Sequence, residues 1–133
     1  IAAVHRGVEV VMINSESIDK LFAGHAQRSY YDELLEAGVN IYLYKKPVFL
    51  HTKQVLIDDN VAILGSSNLD IRSFELDLEI NTIIYDTSVV ETLRQLEADC
   101  LKRSHKLTLS SWQKRPLRLV FLDRLARLTA ALQ

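Results

Sequence analysis

The middle of the chain dictates a β-hairpin. Val48 to Asp58 and Val61 to Leu64 are rich in β-branched and apolar residues, and they bracket Asp59-Asn60, a dipeptide suited to a tight turn. The remaining segments arrange themselves around that pair. Upstream, the chain reads as a helix end stopped by Gly7 and a buried strand over Val8 to Ile13. Opening on a helix end implies further residues before Ile1. Gln27 to Ala37 is predicted helical, with Tyr30, Tyr31, Leu34 and Leu35 on one side and Gly38 as its stop. Val39 to Tyr44 follows as a strand that Lys45-Lys46-Pro47 breaks. A further strand spans Glu79 to Tyr85. Ser88 with Glu91 then forms a capping box for a helix whose Val89, Leu93, Leu96 and Cys100 recur on one face. This alternation predicts an α/β fold, an α-β-α sandwich with a mixed β-sheet flanked by helices.

A chain of 133 residues supplies one compact domain, and its 48% hydrophobic and 25% charged residues exclude a disordered tail. One cysteine, Cys100, forms no internal disulfide and no cysteine-rich zinc site. No apolar run reaches the roughly 18–20 residues of a membrane-spanning helix, and Glu9 interrupts the short apolar stretch at the start, against a signal peptide. The net charge of −1 conceals an asymmetry. Residues 1–99 hold eight Lys/Arg against sixteen Asp/Glu, while residues 100–133 hold eight Lys/Arg against Asp123 alone. Such a basic tail either meets an anionic surface, lipid or nucleic acid, or is solvated or docked on the acidic body. Beyond Trp112 and Pro116, Leu117, Phe121, Leu125, Leu128 and Leu132 fall on one helical stripe. Arg124 and Arg127 lie off the stripe and Arg118 lies near its edge. This helix is too short to span a bilayer; it lies in a membrane interface or packs within the domain or an oligomer. Two segments result, a domain over 1–111 and a basic amphipathic tail over 112–133.

The chemistry concentrates at Leu50-His51-Thr52-Lys53 and at Gly65-Ser66-Ser67-Asn68. On a strand, His51 and Lys53 project from one face. An imidazole beside a fixed cation suits phosphoryl chemistry: the lysine holds a phosphate while the imidazole attacks phosphorus or exchanges a proton. The Gly-Ser-x-Asn segment offers backbone N–H groups, a hydroxyl and an amide to the same oxygens. Asp58, at an odd offset from His51, faces away from that pocket and reads as a structural carboxylate fixing the hairpin. Glu79 is either the carboxylate that orients the His51 imidazole or an exposed strand residue. His5, His25 and His105 lack partners at metal-ligand spacing and are assigned surface roles. Asp32, Glu33 and Glu36 are the solvated face of a helix. No Walker loop, GxGxxG or HExxH occurs.

The spacing His51-x-Lys53-x4-Asp58-x6-Gly65-Ser66-x-Asn68 resembles the signature of the phospholipase D superfamily. Arg28 to Val39 is similar to the helix and turn before the second such motif of cardiolipin synthases. Asn68-Leu69-Asp70-x-Arg72-Ser73, continuing to Glu79-Ile80, is similar to the same group, and the likeness covers residues 1–111. Asp77 departs from it, standing where Asn is expected.

The resemblance implies metal-free phosphodiester transfer through a phosphohistidine, with two copies of the motif facing each other across a pseudo-twofold axis. No cofactor is implied. This chain carries one copy, which by its neighbours resembles the second, so His51 is expected to be the general acid/base facing an N-terminal half that carries the first motif; in a homodimer each His51 is instead the nucleophile of one half-site. Lys53 and Asn68 are expected to bind phosphate oxygens with Ser66 in support, and Asp58 belongs to the signature. The implied reaction transfers a phosphatidyl group from one phosphatidylglycerol to another, at the cytoplasmic face of a bacterial inner membrane. Anionic phospholipid and the membrane surface are the implied partners. A homodimeric single-motif nuclease and an inactive binding fragment are the alternatives. The acidic body disfavours nucleic acid.

Overall fold

A computed structural model describes residues 1–17 and 21–128. Two glycines set the first half of the fold. Helix α1 (Ala2–His5) ends as Gly7 turns to a φ of 86°, with the Gly7 N–H bonding the Val4 carbonyl and the Val8 N–H the Ala3 carbonyl. Gly38, at φ 96°, ends α3 (Tyr31–Glu36) in the same way, bonding Leu35 while Val39 bonds Leu34. Both are six-residue closures that need a left-handed residue, which glycine adopts without a Cβ penalty. Because Val8 belongs to the first closure, strand β1 begins later than the sequence predicts, at Val11–Ser15.

The helix predicted over 27–37 is two helices, α2 (Leu21–Arg28) and α3. At the break, the Ser29 hydroxyl donates to the Ala26 carbonyl at 2.6 Å, a local bond that competes with helix continuation. Strand β2 (Asn40–Tyr44) pairs parallel with β1, Ile13 opposite Tyr42, and antiparallel with the short β6 (Ser104–Lys106). Strands β3 (Gln54–Ile57), β4 (Val61–Gly65) and β5 (Asn81–Ile84) form a second, antiparallel sheet in the order β3-β4-β5. The α/β class and the flanking helices stand as expected, with the strands divided between these two three-stranded sheets.

Helix α4 (Ile71–Glu75) leads toward β5, and α5 (Thr87–Lys102) covers the second sheet. Asp86, and not Ser88, caps α5, accepting from the backbone N–H groups of Ser88 and Val89. The Ser88 hydroxyl bond, then these two, hold its carboxyl below the usual carboxylate range. The buried strip of α5 is Val90 and Leu93, packed on Ala62 of β4, while Val89 and Leu96 of the predicted stripe stay exposed. A three-stranded sheet offers only a narrow surface to the helix.

The larger core joins Tyr31, Val39, Ile41, Leu107 and Trp112. Tyr31 and Trp112 meet with ring centroids 5.1 Å apart. The Tyr31 hydroxyl accepts from Asn14 at 2.9 Å and Gln27 at 2.6 Å, and burial pushes its pKa up to about 12. Trp112 comes from α6 (Leu109–Gln113), capped by Thr108, and α7 (Leu117–Arg127) then packs against α2. Among the described residues no helix is long and apolar enough to cross a membrane. Leu132 lies outside the described residues.

Candidate active site

His51 and Lys53 do not lie on a strand. They occupy an irregular segment between β2 and β3, so strand alternation is not what brings them together. The segment is moored instead. The Leu50 N–H donates to the Ser15 hydroxyl at 3.2 Å at the end of β1, and the Gly65 N–H donates to the Lys53 carbonyl at 3.3 Å at the end of β4. Between these anchors the Lys53 ammonium stands 3.2 Å from Nε2 and 3.4 Å from Nδ1 of His51, and 3.2 Å from the His51 carbonyl. Near-equal approach to both ring nitrogens leaves the ammonium without a bond directed along one lone pair. The imidazole is exposed, with Phe49 beside it at 5.5 Å between ring centroids.

The register brings the other motif residues to the same end of the second sheet. Gln54 pairs with Leu64 and Gly65 with Asn81. Continuing the ladders sets Lys53 beside Gly65, and Ser66 between Thr52 and Ile80. The Ser66 N–H donates to the Ile80 carbonyl at 3.0 Å, and its hydroxyl accepts from the Ile80 N–H at 3.1 Å. That hydroxyl donates to the Glu79 carboxylate. Among the described residues no hydrogen bond joins Glu79 to His51; the carboxylate lies just before β5 and meets Ser66. The Asn68 side chain is exposed, while its backbone N–H donates to the Ser73 hydroxyl at 3.0 Å. Gly65 makes the crowding possible, since a Cβ there would overlap the Asn81 side-chain oxygen and the Ile80 carbonyl.

Asp58 sits at the opposite end of the hairpin, in the turn, at a φ of 48°. Six residues separate it from His51, and the four of them that form β3 (Gln54–Ile57) run between the two. Its backbone carbonyl, rather than its carboxylate, fixes the hairpin, accepting from Nε of Arg94 on α5 at 3.1 Å and from Nη2 of the same guanidinium. The same arginine reaches the Asp59 carboxylate at 3.7 Å.

The family described as "Cardiolipin synthase, PLD-like domain" matches residues 1–100. The chain is similar to cardiolipin synthase 1 of Staphylococcus epidermidis, 40% identical over 126 residues that make up 95% of this chain and 26% of the relative. The chain belongs to the PLD-like domain family of cardiolipin synthases. It spans about a quarter of the length of the curated relatives it matches. Two solved structures share the fold. The phosphatidylserine synthase of Haemophilus influenzae Rd KW20 has a TM-score of 0.73 at 16% identity, over 99% of this chain and 37% of its own. Nuc, a phospholipase D family member from Salmonella typhimurium, has a TM-score of 0.68 at 19% identity, over 80% of this chain and 69% of its own.

In this PLD-like domain, several residues quoted only for their likeness, or read as surface groups, make positioning contacts. Asp70 caps α4 through the Ser73 N–H at 2.8 Å, and the buried Ser73 hydroxyl in turn holds the Asn68 backbone. The Asp-x-x-Ser spacing is a helix-cap signal that was available. Asp77, the departure from the expected Asn, pairs with Arg72 at 2.9 Å. His25 is not a surface histidine: its Nδ1 lies 2.6 Å from the buried Asp123 carboxylate, which also takes Arg115 at 2.5 Å. No local pattern links residues 98 positions apart.

Proposed function

We propose that this chain supplies one half-site of a phosphatidyltransferase of the cardiolipin synthase type, moving a phosphatidyl group between phosphatidylglycerol molecules. The observation that carries the reading is the exposed His51 imidazole with the Lys53 ammonium against both its nitrogens, beside the Gly65-Ser66-x-Asn68 segment. In this reading a histidine nitrogen from a second motif attacks phosphorus as the bond to the leaving glycerol oxygen breaks. His51 gives that oxygen a proton. It then takes the proton of the acceptor hydroxyl, which attacks the phosphohistidine. Lys53 and Asn68 hold the phosphoryl oxygens as charge develops on them. Ser66 and Glu79, bonded to each other, tie the segment after β4 to the chain entering β5. Asp58 belongs to the signature through the hairpin it shapes.

That other motif, the first of the pair, comes from an N-terminal half, or its place is taken by a second copy of this chain. Leu76, Leu78, Ile80 and Ile83, exposed around β5, support a facing surface there. Residues 1–111 form the catalytic half-domain in this reading and 112–133 the tail, working at the cytoplasmic face of a bacterial membrane. The net negative charge of residues 1–99 disfavours a nucleic-acid substrate. The test is conversion of phosphatidylglycerol to cardiolipin and glycerol by the longest natural chain that carries this domain. His51→Ala is expected to abolish turnover, and Lys53→Ala to lower it about 10²–10³-fold. Unchanged turnover in His51→Ala refutes the reading.

A further inference from the structure

Helix α7 packs with its polarity inverted. The residue it buries most deeply is Asp123, 2% exposed, with Ala126 beside it, whereas Leu117 is 85%, Phe121 66%, Leu125 51% and Leu128 80% exposed. The orientation is held by four contacts. Asp123 lies between His25 and Arg115, and the Arg127 guanidinium bonds Glu33 at 2.6 Å and stacks on the Tyr30 ring at 4.4 Å. With 3.6 residues per turn, the four exposed apolar side chains fall within roughly 80° of arc, Arg124 bordering one edge and Arg118 the other. Both arginines are exposed.

We propose that this stripe is an interfacial face that seats the domain on an anionic lipid bilayer, the arginines reaching headgroup phosphates while the leucines and Phe121 enter the acyl boundary. Charge complementarity selects this occupant: an apolar stripe with a cation on each edge, in a tail over 112–133 carrying five Lys/Arg and one Asp, fits a negatively charged apolar interface. A second copy fits less well. A two-fold pairing of the stripe with itself brings like guanidinium groups together along both borders. The proposal draws on the lipid-directed reading above for its setting, but lipid binding here does not require His51.

The test mixes the 133-residue chain with vesicles of pure phosphatidylcholine or of phosphatidylcholine with phosphatidylglycerol, and follows co-sedimentation. Binding is expected only to the phosphatidylglycerol vesicles, weakening as salt rises. Phe121→Glu is expected to lower partitioning about tenfold or more. Arg118→Ser and Arg124→Ser are expected to lower it roughly fivefold each. Phe121→Trp, which keeps the apolar face, should bind and shift its emission to the blue on these vesicles. His51→Ala should still bind, so loss of transfer and loss of docking are read separately. Absence of binding, equal binding to both vesicle types, unchanged binding in a folded Phe121→Glu variant, or a dimer that Phe121→Glu dissociates would each overturn the proposal.

Discussion

Replacing Asp123 with alanine removes the one carboxylate shared by His25 on α2 and Arg115 in the turn before α7. The side chain is buried and accepts two charge-assisted bonds, from His25 at 2.6 Å and from Arg115 at 2.5 Å. Breaking a buried ion pair from one side costs about 3–5 kcal/mol, because the remaining partner is left without its counter-charge. Here the guanidinium keeps other company. It holds Asp32 at 3.6 Å and the Trp112 carbonyl at 2.9 Å, and its carbon lies 3.2 Å from the Trp112 ring centroid. Among the described residues, Asp123 is the side-chain partner of His25. The low end follows, about 3 kcal/mol for Asp123→Ala. Asp123→Asn keeps an acceptor and loses less, about 1–2 kcal/mol. In urea, with m of about 2 kcal/mol/M, the alanine variant should unfold about 1.5 M earlier with m unchanged. His25→Ala and Asp123→Ala combined should cost less than their sum, since both remove one bond. An alanine variant within about 0.5 kcal/mol of the parent refutes the reasoning. It would mean that α7 is not held to α2 through this carboxylate.

Three further outcomes follow from particular residues. Tyr31, raised from an ordinary 10 to about 12 by burial, keeps its proton in the folded chain after the unfolded chain has lost it. Its contribution is therefore full below pH 10 and is lost between pH 10 and 12, at about 1.4 kcal/mol per pH unit. Denaturation profiles of the parent and Tyr31→Phe should run parallel below pH 10 and approach each other above it. A constant offset across that window counts against the burial of the hydroxyl. Gly65→Ala should destabilise by about 1–3 kcal/mol, because the new Cβ must push apart β4 and the Ile80-Asn81 backbone; an unchanged melting midpoint argues against that close approach. The chain should self-associate in sedimentation equilibrium through the apolar side chains around β5, and Leu78→Glu with Ile80→Glu should shift it toward monomer. A parent chain that stays monomeric contradicts this.

Much of the candidate site was legible because its residues are close in sequence. His51 and Lys53 are two positions apart, and the approach of ammonium to imidazole spans those two residues. Strand alternation is not the cause, since both precede β3. Spacing restricted where the side chains reach, and the anchors at Ser15 and Gly65 did the positioning. The Asp58 role was half readable. Its odd offset pointed it away from His51, but the group that secures the turn is its carbonyl, gripped by an arginine 36 positions later. Glu79 shows the same limit, because two acceptable donors existed and only the β4–β5 register placed Ser66 against it.

From residue order alone come the two glycine stops and the β3–β4 hairpin, set by contacts within a few residues, and the expectation of phosphate chemistry at the motif. The tertiary structure decided which way the tail helix faces. Periodicity marked Leu117, Phe121, Leu125 and Leu128 as one stripe but carried no information on whether a surface waits for it. Asp123, read only as the single acid in a basic tail, turned out to be the residue that docks the helix, through His25 nearly a hundred positions earlier. A pairing between distant charges has no period in the sequence, and packing had to bring the two helices together before the apolar stripe was left outside.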